Sequence, residues 1–164
     1  MAENLLKDDV FFMEQALAEA SKAAALGEVP VGAVIVVGDE VIARGHNLKE
    51  SGKDATLHGE MIAIREACRV MGGWRLPKAT LYVTMEPCPM CAGAMVQARL
   101  AKLVYAAADP KCGAAGSVVE LLQRPEFNHR LKVVAGVKEA EAAALLSRFF
   151  KDRRQARKEA KNMA

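Results

Sequence analysis

The sequence of 164 residues lacks an apolar segment long enough to cross a membrane. Its longest stretch without a charged residue runs from Pro87 to Ala98, whereas a transmembrane helix needs ~20 predominantly apolar residues. The first nine residues, MAENLLKDD, are polar and acidic, which is not typical of a secretory signal peptide. We therefore expect a cytoplasmic protein that makes no contact with a membrane.

Aromatic side chains and net charge are also scarce. Aromatic residues make up 5% of the sequence and the formal net charge is only +3, so the average charge does not indicate a particular partner. The hydrophobic fraction of 52% is sufficient for a packed core and excludes wholesale disorder. With no internal repeat and no long linker, the length predicts one domain over residues 1–164.

The charge is unevenly distributed along the chain. Residues 148–164 contain seven Lys and Arg against two Asp and Glu, whereas residues 1–147 have a slight acidic excess. One interpretation is a solvated helix end, because basic residues there suit the helix dipole. The other is a surface that contacts phosphates, and the composition alone does not decide between the two.

Hydrophobic periodicity predicts a three-layer α/β/α domain. Helices are predicted over 8–26, 59–70, 87–98 and 118–123 and from about 138 to 164; strands are predicted over 31–37, 41–44, 79–85, 103–107 and 131–135. The Gly-Asp-Glu turn at 38–40 predicts a hairpin of the first two strands. Later strands alternate with helices, so we expect helices on both faces of a mixed five-stranded sheet and a long C-terminal helix.

The four cysteines include one close pair, and a second Cys-x-x-Cys is missing. Without a signal peptide we expect reduced thiols rather than disulfides. Cys68 lies in an apolar helical stretch and is expected in the core, while Cys112 lies in a Gly/Ala-rich loop with no assigned role. Cys88 and Cys91 stand at the start of one predicted helix, and His58 stands at the start of another.

One His and two Cys are ligands that zinc prefers, and three protein ligands leave one tetrahedral position for water. The first turn of a helix favours the cysteine thiolate that zinc requires. Residues two apart do not share one side of a helix, so Glu60 is not expected to bind the metal beside His58. A carboxylate beside a bound water instead serves as general acid and base, which predicts a hydrolase.

Each motif alone carries little information. A lone Cys-x-x-Cys also occurs in redox proteins and in unrelated cores, and a lone His-x-Glu is too short to be specific. A thioredoxin-like redox protein would leave His58 and Glu60 without a role. The combination of both motifs at two helix starts is much more specific than either.

The set His58-x-Glu60 and Pro87-Cys88-x-x-Cys91 resembles the zinc-dependent cytidine/adenosine deaminase superfamily. Further segments resemble the bacterial tRNA-specific adenosine deaminases, in order and over nearly the whole chain: EVPVGAVIV, RGHN, ATLYVTMEPCPMCAGAM, DPKCGAAGS, FNHR and LLSRFFKDRR. The resemblance implies a cytidine-deaminase-like fold, one zinc per subunit on His58, Cys88 and Cys91, and proton transfer by Glu60. It also implies hydrolysis of adenosine to inosine at the wobble position (A34) of a tRNA anticodon, usually by a homodimer.

The resemblance further implies which residues contact the RNA. Asn47 matches the family asparagine that hydrogen-bonds the flipped base, and Asp109, Lys111 and Phe150 lie in segments placed near the anticodon nucleotides. Gly59 stands where the family usually has Ala and keeps the backbone N–H, so we count it with the substrate-binding residues. With an RNA-modifying motif nearby, Arg153 and Arg154 in the basic helix are expected to contact phosphates of the anticodon arm.

Two alternatives remain at this stage. The same zinc chemistry serves a deaminase of a free base or nucleoside, such as guanine or cytosine, although a small base needs no phosphate-binding surface. A non-catalytic zinc module that binds RNA would instead have a closed fourth coordination position and no use for Glu60.

Overall fold

The computed structural model describes residues 7–164. The first six residues lie outside that range, so the expectation that the polar amino terminus is not a signal peptide stays a prediction. The elements in chain order are α1 (Asp9–Ala25), β1 (Gly32–Val37), β2 (Glu40–His46), α2 (Gly59–Met71), β3 (Ala79–Met85), α3 (Pro89–Gln97), β4 (Lys102–Ala107), β5 (Lys132–Ala135) and α4 (Glu139–Asn162). Within residues 7–164, no helix combines the length and the apolar character that a membrane crossing requires.

The five strands form one mixed sheet in the order β2-β1-β3-β4-β5. Strand β1 pairs antiparallel with β2 and β3, whereas β3, β4 and β5 run parallel. The predicted hairpin is present, and its turn uses Gly38 at φ +62°, a left-handed conformation that glycine adopts without steric cost. The predicted fold class, with a mixed five-stranded sheet and a long C-terminal helix, is confirmed.

Helices cover both faces of this sheet, because successive strand side chains point to opposite faces. Odd-numbered residues of β1, β3 and β4 pack under α2 and α3 in one buried cluster, which includes Ala33, Ile35, Leu81, Val83 and Leu103. Even-numbered residues pack under α1 and α4 in the other, which includes Val34, Val36, Tyr82 and Val104. Burial of each large aliphatic side chain contributes about 1.5–3 kcal/mol, so the two layers fix both helix pairs against the sheet.

The helix predicted over 118–123 is wrong. Ala115 and Glu120 instead form an isolated antiparallel bridge, and Gly116 between them has φ +128°, which no helix accommodates. The Glu120 carboxylate accepts hydrogen bonds from the backbone N–H groups of Leu122 and Gln123 at 2.7 and 2.8 Å. This acidic side chain satisfies local backbone donors and stabilises a turn in place of a helix.

Candidate active site

Two helix starts meet beside the end of β3. His58 is the N-cap residue of α2 and Cys88 is the N-cap residue of α3, and both have extended backbone conformations. Neither side chain caps its own helix. Pro89 occupies the first turn of α3, where its fixed φ suits a helix and its missing N–H costs nothing. The His58 and Cys88 side chains are therefore available to each other and to Cys91 in the first turn of α3.

The three predicted ligand side chains converge. His58 Nδ1 lies 3.6 Å from Cys88 Sγ and 3.5 Å from Cys91 Sγ, and the three ligand atoms all lie within 4.8 Å of one another. Tetrahedral zinc with usual Zn–N and Zn–S bond lengths separates such N and S atoms by about 3.6 Å. The spacing and donor chemistry therefore fit a metal ion held by these three residues.

Glu60 lies in the same place and is almost completely buried, with 3% of its surface exposed. Among the described residues its Oε1 atom is buried without a hydrogen-bond partner. Burial raises the pKa of this carboxyl above its ordinary value. An unpaired buried polar atom is costly, and a metal ion or a water molecule held at the three ligand side chains would supply the partner that Oε1 lacks.

The surroundings of Cys88 favour its thiolate form, which is the form that binds a cation. A hydrogen bond from Cys91 lowers the pKa of Cys88 to about 4 against the opposing effect of burial, and His58 adds to this lowering. The same contact with Cys88, together with burial, raises the pKa of the Cys91 thiol. The hydrogen bond with Cys88 raises the pKa of His58. One thiolate is thus favoured before a cation binds, and a coordinated metal ion deprotonates a thiol outright.

A pocket of about 310 Å³ opens above these residues. We call His58, Glu60, Cys88 and Cys91 the polar cluster. Two loops supply much of the remaining surface, the first wall loop (residues 47–51) and the second wall loop (residues 109–117). The volume is at the small end of the usual range for ligand pockets, about 300–1,000 Å³, which suits one nucleoside rather than a longer ligand.

Glu28 holds the first wall loop. It is 1% exposed, and its carboxylate accepts hydrogen bonds from Glu50 N at 2.7 Å, Ser51 N at 3.0 Å and Ser51 Oγ at 2.8 Å. Burial alone raises the pKa of Glu28, but the hydrogen bonds from Ser51 and Glu50 outweigh it and lower the pKa below its ordinary value. The carboxylate is therefore charged and fully engaged with this loop.

Glu86 holds the second wall loop in the same way. It is 3% exposed and accepts hydrogen bonds from Asp109 N at 3.2 Å, Ala115 N at 3.0 Å, Ser117 N at 3.2 Å and Ser117 Oγ. Burial again opposes ionisation, yet these hydrogen bonds lower the pKa of Glu86 below its ordinary value. Gly113 is required where the loop passes the carboxylate, because a Cβ there would overlap Glu86 Oε2.

Six of the seven predicted substrate-binding residues divide into two groups. Asn47, Asp109 and Arg153 line the pocket. Lys111, Phe150 and Arg154 are exposed and do not line it. Lys111 lies in the second wall loop and donates its backbone N–H to Asp109 Oδ1 at 2.9 Å, while the other two lie on α4 beside Arg153.

Gly59 lies behind the pocket surface. Its N–H donates to Asn47 Oδ1 at 2.8 Å, so the asparagine supplies the capping bond that His58 does not give α2. A Cβ on Gly59 would lie 3.1 Å from His46 Cα and 3.2 Å from the Val31 carbonyl oxygen. Glycine thus relieves a tight contact between the start of α2 and the strand residues that precede Asn47.

Sequence reasoning missed the two buried glutamates. Glu28 precedes the strand residues Val31–Val37, and Glu86 precedes Pro87 and Cys88. Glutamate is rarely buried unless it is paired, so the sequence carries no signal for the burial of either residue or for the loop that each one holds. Cys112, which has no role assigned from the sequence, also lines the pocket, as does Lys49.

Comparisons with known proteins identify the relatives of this chain. A family model for the MafB19-like deaminases matches residues 7–154. A tRNA-specific adenosine deaminase of Bacillus subtilis is 50% identical over 156 residues, which cover 95% of this chain and 97% of that protein. The resemblance predicted from the motifs is therefore confirmed over most of the chain.

Solved structures show the same relationship. A structure from a study of A-to-I editing by tRNA:A34 deaminases at the wobble position is 47% identical, with a TM-score of 0.79, and covers 82% of this chain and 98% of its own. A guanine deaminase from Bacillus subtilis is 33% identical, with a TM-score of 0.61, and covers 77% of this chain and 83% of its own. Deaminases that act on different purines thus share this fold.

Proposed function

The chain belongs to the tRNA-specific adenosine deaminases of the MafB19-like deaminase family, and we propose that it hydrolyses adenosine to inosine at the wobble position (A34) of a tRNA anticodon. The polar cluster carries this proposal, because His58, Cys88 and Glu60 line a pocket of nucleoside size and Cys91 stands directly behind them as the third ligand. Among the described residues, the buried Glu60 Oε1 has no hydrogen-bond partner. A non-catalytic zinc module has no use for Glu60 Oε1 in that position.

We propose zinc as the metal, one ion per subunit, held by His58 Nδ1, Cys88 Sγ and Cys91 Sγ. The distances of 3.5 and 3.6 Å from the imidazole nitrogen to the two sulfurs support this ion. When bound with three protein ligands, zinc lowers the pKa of a water molecule and supplies it as a nucleophile at neutral pH.

Glu60 is proposed to move the protons of the reaction. When the oxygen of water adds to C6 of adenine, Glu60 Oε1 accepts one proton of that water and passes it to N1. The second proton goes through the same carboxylate to the amino nitrogen as C6 becomes a carbonyl and ammonia departs, so the carboxylate ends unchanged. Its burial keeps bulk water from competing for that proton.

Asn47 is proposed to recognise the base. Its Oδ1 is engaged by Gly59 N, which fixes the orientation of the amide and leaves the NH₂ group to donate to an acceptor on the purine. Gly59 contributes by holding that amide, and Asp109 bounds the pocket on the second wall loop. Extrusion of a base into this pocket costs least in a single-stranded anticodon loop.

The RNA is proposed to leave the pocket along α4. Arg153 reaches the pocket and stacks over Phe149, with its guanidinium carbon 5.9 Å from the ring centroid. Phe150, Arg154 and Lys111 lie exposed outside the pocket, where nucleotides that flank A34 would pass. Exposed aromatic and basic side chains serve single-stranded RNA through stacking and phosphate contact.

A direct test is conversion of an anticodon stem-loop that contains A34. Zinc-loaded protein is incubated with the RNA, and inosine is read by sequencing. We expect complete conversion by the parent and none by Glu60→Ala, with both proteins retaining zinc. Equal product from the two proteins, or none from the parent, would contradict the proposal.

Deamination of a free base such as guanine is the second candidate. The 33% identity to a guanine deaminase structure favours retaining it, and the small pocket accepts a free base as readily as a nucleotide. Rates on free bases and nucleosides are to be compared with the rate on the stem-loop. We expect the stem-loop to be strongly preferred, and efficient turnover of guanine would reverse the assignment.

A homodimer in the cytoplasm is proposed for the assembled enzyme. An open groove of about 810 Å³ runs along the edge strand β2 and α2. Partly buried apolar side chains line it, among them Ile42, Leu48, Leu57 and Ile62. Leu48 belongs to the first wall loop, so a second copy in this groove would support the pocket. Sedimentation equilibrium of the parent and Ile62→Glu should show a dimer and a monomer, respectively.

A further inference from the structure

We infer that Glu28 and Glu86 are positioning residues that each hold one wall loop in the shape that receives the nucleotide. The inference rests on the proposed function, because it assigns these loops to substrate binding. Each carboxylate is buried and collects backbone N–H groups and one serine hydroxyl from a single loop. The two arrangements are the same in kind, and the glutamates stand in different connecting segments, Glu28 before β1 and Glu86 after β3.

The loops need such an anchor because they contain no helix or strand. Backbone N–H groups in irregular segments otherwise bond to water and leave the loop mobile. Hydrogen bonds to an ionised acceptor are about twice as strong as those between neutral groups. A buried carboxylate that receives several N–H groups therefore fixes the path of the loop, and the loop in turn satisfies the buried charge.

Each carboxylate also connects its loop to a segment that carries a site residue. Glu86 stands two residues before Cys88, and the second wall loop adds a bond from Ala114 N to the Pro87 carbonyl at 2.8 Å. Glu28 stands three residues before Val31, whose carbonyl accepts from Asn47 N at 3.1 Å. Displacement of either loop would thus move the pocket wall relative to the polar cluster.

Neither glutamate is proposed to act on the reacting atoms. Both carboxylates have their oxygens engaged by loop donors, whereas Glu60 Oε1 has no hydrogen-bond partner within residues 7–164. The expected consequence of their loss is weaker binding of a correctly shaped substrate with the chemistry preserved. That separates them from Glu60, whose loss stops proton transfer.

Hydrogen exchange of single amides tests the anchoring directly on the metal-loaded protein. In Glu28→Gln we expect at least about tenfold faster exchange of the Glu50 and Ser51 amides. In Glu86→Gln we expect the same for the amides of Asp109, Ala115 and Ser117. Each variant should leave the other loop and strands β3 and β4 unchanged, so each serves as the matched control for the other.

Kinetics test the consequence for substrate. Both variants should raise KM for the stem-loop by about tenfold, leave kcat within about twofold and keep the metal content of the parent. Ser51→Ala and Ser117→Ala remove one exposed hydroxyl donor each and retain the carboxylate. They should show smaller changes in the same amides and the same direction in KM, and they keep the test open if a Gln variant does not fold.

Several results would overturn the inference. Unchanged exchange in the named amides would show that the carboxylates do not hold the loops, and faster exchange throughout the molecule would assign them a general structural role. Loss of kcat or of metal at unchanged KM would assign them to the polar cluster. If the parent itself does not deaminate the stem-loop, the proposed function fails, while the exchange data still decide whether the loops are anchored.

Discussion

The polar cluster and the wall loops form one pocket from two kinds of structure. The cluster is built on the starts of α2 and α3, where helical backbone fixes Glu60 and Cys91 and the N-cap positions hold His58 and Cys88. The wall loops are irregular and depend on hydrogen bonds to Glu28 and Glu86. Under the proposed function we expect the rigid elements to carry the chemistry and the loops to carry recognition, so substitutions in the two regions should have different effects on turnover and on substrate binding.

Removal of a cluster ligand should have the largest effect. We expect Cys88→Ala to lose the metal and to reduce inosine formation to background, because two remaining ligands bind zinc weakly. Metal content and turnover are measured on the same preparation. Cys112→Ala is the matched control, since Cys112 lines the same pocket from the second wall loop and should keep both metal and turnover. Stoichiometric metal in Cys88→Ala would refute the assigned ligand set.

Loss of the cluster carboxylate should separate chemistry from metal binding. Glu60→Gln is expected to lower kcat by about 10²–10⁴-fold, the usual contribution of a general acid and base, while the metal remains bound. Single-turnover rates with saturating stem-loop provide the measurement. Glu126→Gln, at an exposed position outside both the pocket and the groove along β2, should behave like the parent. A change confined to KM would place Glu60 in binding instead.

Replacement of Asn47 should combine the effects expected for the two regions, because Asn47 belongs to the first wall loop and also caps α2. We expect Asn47→Ala to lower kcat/KM by about 10–100-fold and stability by ~1 kcal/mol, the usual cost of a lost cap. Asn47→Asp keeps an acceptor for Gly59 N but removes the NH₂ donor. It should restore thermal stability and not turnover, and recovery of turnover by Asp would show that the base contact is not required.

The sequence was sufficient to predict the polar cluster and most of the fold, because spacing and helix-start residues encode them locally. His58, Cys88 and Cys91 were identified as a set from ligand chemistry, and the periodicity of the long helices and strands located the sheet. The prediction of a helix over 118–123 is wrong because the Glu120 side chain caps a turn, and hydrophobic periodicity contains no information about such a side-chain hydrogen bond. The roles of Glu28 and Glu86 are not predictable from the sequence, because their hydrogen-bond partners are loop amides over 20 residues away along the chain.

Arg153 lies on α4 and reaches the pocket, so its replacement tests the contribution of the basic helix to RNA binding. We expect Arg153→Gln to raise KM for the stem-loop several-fold. The slope of log affinity against log salt concentration should become shallower by the contribution of about one phosphate contact. Arg148→Gln, five residues earlier on α4 and outside the pocket, serves as the control and should change both quantities less. An equal salt slope for the parent and both variants would show that α4 does not contact phosphate near the pocket.

The smallest effect is expected in the acid dependence of stability. Hydrogen bonds lower the pKa of folded Glu28 below the value of about 4.5 for an unperturbed glutamate, so its contribution to the free energy of unfolding is complete above that value. It is lost as the pH falls through the lower folded pKa, because the protonated carboxyl resembles the amide of Glu28→Gln. The difference in unfolding free energy between parent and Glu28→Gln should therefore be constant near neutral pH and shrink below about pH 4.5.

Acid release of the metal is common to both proteins and cancels in this difference, and Glu40→Gln at an exposed strand end should show no such change. A difference that persists unaltered into acid would mean that the first wall loop is held by the shape of Glu28 and not by its charge.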